Sequence, residues 1–145
     1  MGFGEAVRTF FQRYTDFQGR SRRSEYWWVI LALIIFFGIG GALAVVLGGV
    51  AGGGDMNPIG MLLIGILGLA YLAIIIPNIA LMVRRFHDLN QTGWLVLVFI
   101  LLGIIPLVGM LASLAQIIWF AMPGTVGPNK YGADPKGGHD VGVFS

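Results

Sequence analysis

Four chemically capable side chains stand together in the stretch RRFHDLNQTGW, Arg84–Trp94: two arginines, a histidine and an aspartate between two long apolar runs. His87 could serve as a general base, a proton carrier or a metal ligand, because an unperturbed imidazole titrates near neutrality. Nothing nearby completes such a site. Zinc takes three or four convergent ligands, whereas the only other histidine is His139, no HExxH spacing occurs and the chain has no cysteine. Asp88 adjoins His87, and neighbours on a short loop rarely face each other, so a catalytic dyad is a poor fit. Ser21, Ser24 and Ser113 lack a local base motif. The run LGGVAGGGDMNP lacks the GxxxxGK[ST] or strand-linked GxGxxG context of a phosphate loop. No catalytic residue, metal or cofactor is therefore expected.

The elements that must position these residues follow from composition. With 57% hydrophobic and 11% charged residues, against roughly a quarter charged in soluble proteins, the chain reads as an integral membrane protein. Three uncharged blocks, Tyr26–Ala51, Pro58–Val83 and Gly93–Gly124, each exceed the roughly 20 residues that a helix needs to cross hydrocarbon. The first is too long for a signal-peptide core and follows a polar segment. The expected fold is all-α: an amphipathic interfacial helix in 1–19, a membrane domain in 20–124 with spans near 26–50, 59–83 and 94–122, and a flexible polar tail in 125–145. Of nine basic residues, only Lys130 and Lys136 lie outside the amino-terminal segment and the Arg84 stretch. The positive-inside rule makes both of those regions cytoplasmic and the Asp55 loop external. Basic residues this close to span ends are read as topological signals, so no nucleic acid is expected as a partner.

Phe3, Val7, Phe10, Tyr14 and Phe17 recur at helical spacing, with Arg8, Gln12 and Arg13 opposite. Such a face suits a helix lying flat at the lipid boundary or one packed on the span ends. Gly19 is a natural stop for it and Ser21 a cap for the next helix. Phe10, Phe17, Tyr26, Trp27, Trp28 and Trp94 are the expected interfacial anchors. Small residues four apart, Gly38/Ala42, Gly40/Ala44 and Gly48/Gly52, allow close helix approach, and Gly52–Gly54 reads as an external turn. Pro77 frees a backbone carbonyl, while the amides of Asn78 and Gln116 demand partners in hydrocarbon, each other being one option.

The third block is ambiguous. As one helix, Trp94–Met122 would reach about 43 Å, too long for an upright span, yet two crossings need about 40 residues. GIIPLVG, Gly103–Gly109, is the place for a kink or break. A single kinked span, the preferred reading, puts the tail outside. A short hairpin returns it to the cytoplasm.

A structural role for the charged stretch accounts for more residues at once. Arg84 and Arg85 complement the carboxyl-terminal dipole of the second span, Asn90 or Thr92 caps the third helix, and Trp94 anchors it. Arg20, Arg22, Arg23, Glu25, Arg84, Arg85, His87 and Asp88 then form a cytoplasmic face for anionic lipid or a partner, with cross-pairs between the two motifs. The ordered motifs FQGRSRRSEYWW (Phe17–Trp28), RRFHDLNQTGW (Arg84–Trp94) and PGTVGPNKYGADP (Pro123–Pro135) resemble the small bacterial inner-membrane proteins grouped as domain of unknown function 805. That resemblance implies a multi-span inner-membrane location and brings no catalytic residues. The third block is longer than the family pattern implies, and the amino-terminal aromatic helix lies outside the motif core. The expected role is a non-enzymatic accessory or scaffolding subunit, contacting the bilayer and a membrane-protein partner or further copies of itself. A small oligomeric transporter or channel, and a lipid-headgroup enzyme using His87 and Asp88, are the alternatives.

Overall fold

The structure, a computed structural model, describes residues 2–135; Lys136 and His139 lie outside the described residues. The chain folds as α1 (Phe3–Gln12), α2 (Arg23–Leu47), a 3-10 turn (Val50–Gly52), α3 (Pro58–Asp88), α4 (Leu95–Gly103) and α5 (Pro106–Ala121). Among the described residues, α2 and α3 are the helices long and apolar enough to cross a membrane. They pair antiparallel through a tight connection. Gly49 and Gly53 adopt φ of 79° and 85° there, a conformation that side chains resist. Asn57 closes the turn: its Nδ2 donates to Leu47 O at 3.0 Å, and its Oδ1 accepts from Gly60 N at 3.0 Å. Pro58 occupies the first helical turn, where its missing N–H does no harm. A Cβ on Gly60 would fall 2.7 Å from Gly48 Cα, so the two backbones touch. Gly40 likewise lies against Leu67, whereas Gly38 and Gly52 face open space.

α1 stops at Gln12, before Gly19, and packs against α2 and α3. Ala6 and Phe10 are buried in the core and Phe3 meets Trp28 edge-on, so the second of the two arrangements open to its apolar face is realised. The connection after it explains how α3 tolerates Pro77. Without an N–H, Pro77 leaves the carbonyl four residues back, Ala73, without its helical donor. The Tyr14 hydroxyl donates to that carbonyl.

Two expectations about the third block need correction. It is not one kinked span: α4 ends at Gly103, Ile105 turns into extended backbone, and α5 packs back along α4. Gly109 sits so close to Gly103 that a Cβ would come within 2.8 Å of its carbonyl oxygen, which is what lets the hairpin close. The tail accordingly returns to the end of the bundle that holds Arg84. The anchors divide as well. Trp94, Phe17 and Trp28 are 75%, 40% and 37% exposed, but Phe10 and Tyr26 belong to the core, because α1 packs Phe10 toward α2 and α3 and Phe120 of α5 meets Tyr26 edge-on. Trp27 is half-buried against Tyr26.

The core gathers at this end. Phe86 stacks on Phe99 at 5.8 Å and meets Trp119 and Phe120 edge-on at 5.4 and 4.7 Å. Gln116 Nε2 lies 3.3 Å from Met82 Sδ, while Asn78 Oδ1 is buried with no hydrogen-bond partner; the amide pairing expected of them is not formed. The Tyr14 bond gives a direct test. Tyr14→Phe should destabilise the detergent-solubilised protein by about 1 kcal/mol in denaturant titrations, and should be nearly neutral in a Pro77→Ala background, where an N–H again reaches Ala73. Equal losses in both backgrounds would refute the coupling.

Candidate functional site: a buried arginine network

RRFHD is the last turn of α3, not a loop. The helix closes with a backbone motif: Asn90 N donates to His87 O at 3.0 Å and Gln91 N to Phe86 O at 2.8 Å, with Asn90 at φ 58°, the left-handed closure for which asparagine substitutes for glycine. Helical spacing then sends successive side chains in different directions, and each meets a different segment.

Arg84 turns toward the segment between α1 and α2. Its Nε donates to Ser21 Oγ at 2.9 Å and its Nη1 to Asp16 O at 2.7 Å and Arg13 O at 3.2 Å. Its Nη2 stands 3.5 Å from Glu25 Oε1, an ion pair longer than a good hydrogen bond. Ser21 is thus a partner for Arg84; α2 is preceded by Arg22, with no side-chain cap. Arg85 faces the carboxyl end of α5, donating to Phe120 O at 3.0 and 3.2 Å and to Met122 O, and it also pairs with Asp88. Arg20 reaches Asp88 Oδ1 at 2.9 Å, Gly127 O at 2.7 Å and Thr125 O. Asp88 itself accepts Thr125 N on its backbone oxygen at 2.7 Å. A Cβ on Gly124 would collide with the Asp88 carboxylate at 1.9 Å, so only glycine passes there.

This arrangement corrects the expectation of an exposed charged face. Arg20, Glu25, Arg84, Arg85, His87 and Asp88 are all buried; backbone carbonyls, Ser21 Oγ and Asp88 meet most of the arginine donors, while Arg84 Nη2 has only the long ion pair with Glu25. Arg23 is exposed and donates to Ala121 O at 3.0 Å; Arg22 is half-buried. The expected cross-pairs do form, as Arg20–Asp88 and Arg84–Glu25. The segment read as a flexible tail is, through residue 135, a structural part: Asn129 Nδ2 donates to His87 O at 2.9 Å, Gly127 N donates to Asp134 Oδ2 at 2.9 Å, and Tyr131 stacks on the His87 ring at 4.0 Å.

The chemistry open to the site is correspondingly narrow. His87 Nδ1 is engaged with Gly19 O at 2.9 Å and Asp88 with two arginines, so the two do not form a dyad. Among the described residues no group of three or more His, Asp or Glu converges. Outside the spans, partial burial raises the Asp16 carboxyl. Hydrogen bonds from Arg13 and the Gln18 amide and the charges of Arg13 and Arg84 outweigh burial and hold it below the ordinary value. That contribution to stability is present above the unfolded carboxylate pKa and is lost as pH falls through the lower folded value.

The segments that build this network fall within a stretch that matches a known family. The model of the family described as Protein of unknown function (DUF805) matches residues 14–133. The chain belongs to this family. It is 36% identical over 126 residues to inner membrane protein YhaH of Escherichia coli (strain K12), covering 86% of this chain and 91% of that protein. It is 35% identical over 129 residues to inner membrane protein YhaI of the same strain, covering 88% and 92%. No solved structure matches. The family match begins after α1 and takes in Arg20, Ser21, Glu25, Arg84, Arg85, Asp88 and Gly124 together.

Sequence reasoning found the charged residues but missed their acceptors. Thr125, Gly127 and Phe120 act through backbone carbonyls, which leave no side-chain signature, and Gly124 acts by lacking a side chain. Asp88→Ala, which strands two buried guanidinium groups, should cost about 3–5 kcal/mol, whereas exposed Arg23→Ala should cost less than about 1 kcal/mol. Unfolding in mild detergent measures both, and similar losses would show the network to be incidental.

Proposed function

We propose that this inner-membrane protein is a non-enzymatic accessory or scaffolding subunit, with its amino terminus, arginine network and residues 123–135 on the cytoplasmic side. One observation carries the reading: the interrupted hairpin. α4 has 9 residues and α5 has 16, so at 1.5 Å per residue their shared turn stands roughly 14–24 Å from the charged end, well inside a hydrocarbon layer about 30 Å thick. Ile104 and Ile105 there are 73% and 50% exposed, and α5 begins without a side-chain cap. Open backbone at that depth is tolerated only where protein covers it or water reaches it. A partner span, or a second copy, laid across Ile104 and Leu107 meets the first condition. The network supports a scaffold rather than a reactive centre, since its titratable groups are committed to holding chain segments.

The water-reached case is the transporter alternative, favoured by the same broken helix and by the unpartnered Asn78 oxygen. A single experiment separates them, made simple by the absence of native cysteine. A photo-crosslinker at Ile104 in native membranes should yield a discrete protein adduct, while one at the lipid-facing Ile39 should not; lipid adducts alone at Ile104 would count against an accessory subunit. Labelling of Ile104→Cys by a membrane-impermeant thiol reagent would instead favour a wet path. In the same preparation Asp55→Cys should react from the external side and Asn129→Cys only after permeabilisation, and the reverse pattern would overturn the orientation.

A further inference from the structure

Beside the network, α3 and α4 diverge around a cleft of about 550 Å³, within the range of ligand sites. Its floor is apolar, formed by Ile79, Val83, Leu97 and Ile100, and its rim carries His87, Thr92, Trp94 and Tyr131. Leu97 and Ile100 are also 49% and 46% exposed on the outer face of α4, so the floor runs directly into the surface that meets lipid.

The rim has a defined chemistry. A carbonyl can only accept, so the 2.9 Å contact with Gly19 O places a proton on His87 Nδ1 and leaves the Nε2 lone pair of the neutral ring as an acceptor. Nε2 faces the space at Gly93, where a Cβ would lie 3.2 Å from it and 2.6 Å from Val83 Cγ1; glycine keeps that access open. Tyr131 fixes the imidazole plane by stacking, and Lys130 Nζ sits 5.2 Å from the Tyr131 ring centre. An imidazole acceptor therefore adjoins the apolar trough at Val83, and the Lys130 cation stands over the Tyr131 ring that the imidazole stacks on. A soluble anion would leave the trough unmatched, and a hydrocarbon chain alone would leave the imidazole acceptor unmet.

We propose that the cleft binds one phosphatidylethanolamine molecule of the adjacent leaflet. Its phosphate lies toward Lys130, its ammonium donates to His87 Nε2, and one acyl chain runs along Val83, Leu97 and Ile100. Native mass spectrometry of the full-length protein in mild detergent, with added phosphatidylethanolamine or phosphatidylcholine, tests this. The choline head has no N–H donor, so the wild type should retain the ethanolamine lipid about tenfold better, the worth of one charge-assisted hydrogen bond. His87→Phe, which keeps the stack, should abolish the preference. Ile100→Trp, filling the floor from a half-exposed position, should abolish retention of both, and Leu97→Trp serves if that variant does not fold. Equal retention of the two lipids by the wild type, undiminished retention after the floor is filled, or displacement by inorganic phosphate alone would each overturn the proposal.

Discussion

A guanidinium group removed from water is costly unless acceptors meet most of its five N–H donors. Arg20, Arg84 and Arg85 are all buried, and among the described residues two carboxylates, Glu25 and Asp88, are buried with them. Apart from Arg84 Nε, which donates to Ser21 Oγ, most of the other donors go to backbone carbonyls: Arg13 and Asp16 before α2, Phe120 and Met122 at the end of α5, Thr125 and Gly127 beyond it. These carbonyls belong to irregular segments and a helix terminus, whose backbone lacks partners of its own. Each arginine thus satisfies itself and a piece of otherwise unsatisfied chain at once. The surplus positive charge is partly offset by the negative end of α5 at Phe120 and Met122.

The topology follows from this reciprocity. Arg85 points from the last turn of α3 to the last turn of α5, so α5 must end level with α3, and the block from Trp94 must turn back on itself. Arg20 then holds Thr125 and Gly127, with Gly124 passing edge-on to Asp88. The kink-or-hairpin ambiguity was insoluble from hydropathy because both solutions bury the same apolar residues. It is decided by where one guanidinium finds two carbonyls.

The same distinction explains what could be read from the residues alone. Helical content, the two long spans, the glycine-rich turn and the pairing of the FQGRSRRSEYWW and RRFHDLNQTGW motifs all rest on side-chain type and spacing, which sequence displays. The burial of the cluster was misjudged because charge near a span end ordinarily means an exposed, lipid-facing position; whether it is covered depends on α1, the hairpin and residues 123–135 closing over it. Phe10 and Tyr26 read as interfacial anchors for the same reason. The roles of Asn57 and of the Tyr14 hydroxyl are not legible in the sequence, because they lie in single bonds, to Gly60 and to the Ala73 carbonyl released by Pro77.

The resulting molecule is lopsided along the membrane normal, and this bears on what it can do. At the charged end every helix but the start of α3 contributes to one core, tied by ion pairs and by the aromatic cluster around Phe86. At the other end only α2 and α3 continue, held by the Gly48–Gly60 contact and the Asn57 bonds. A rigid base with a narrow two-helix extension leaves a ledge above the α4–α5 turn, flanked by the outer half of α3. The irregular segments of the charged end are those the arginines fasten. An unfilled ledge is suited to being completed by another helix, which is why the proposed partner contact is placed at the exposed turn rather than at the charged cluster.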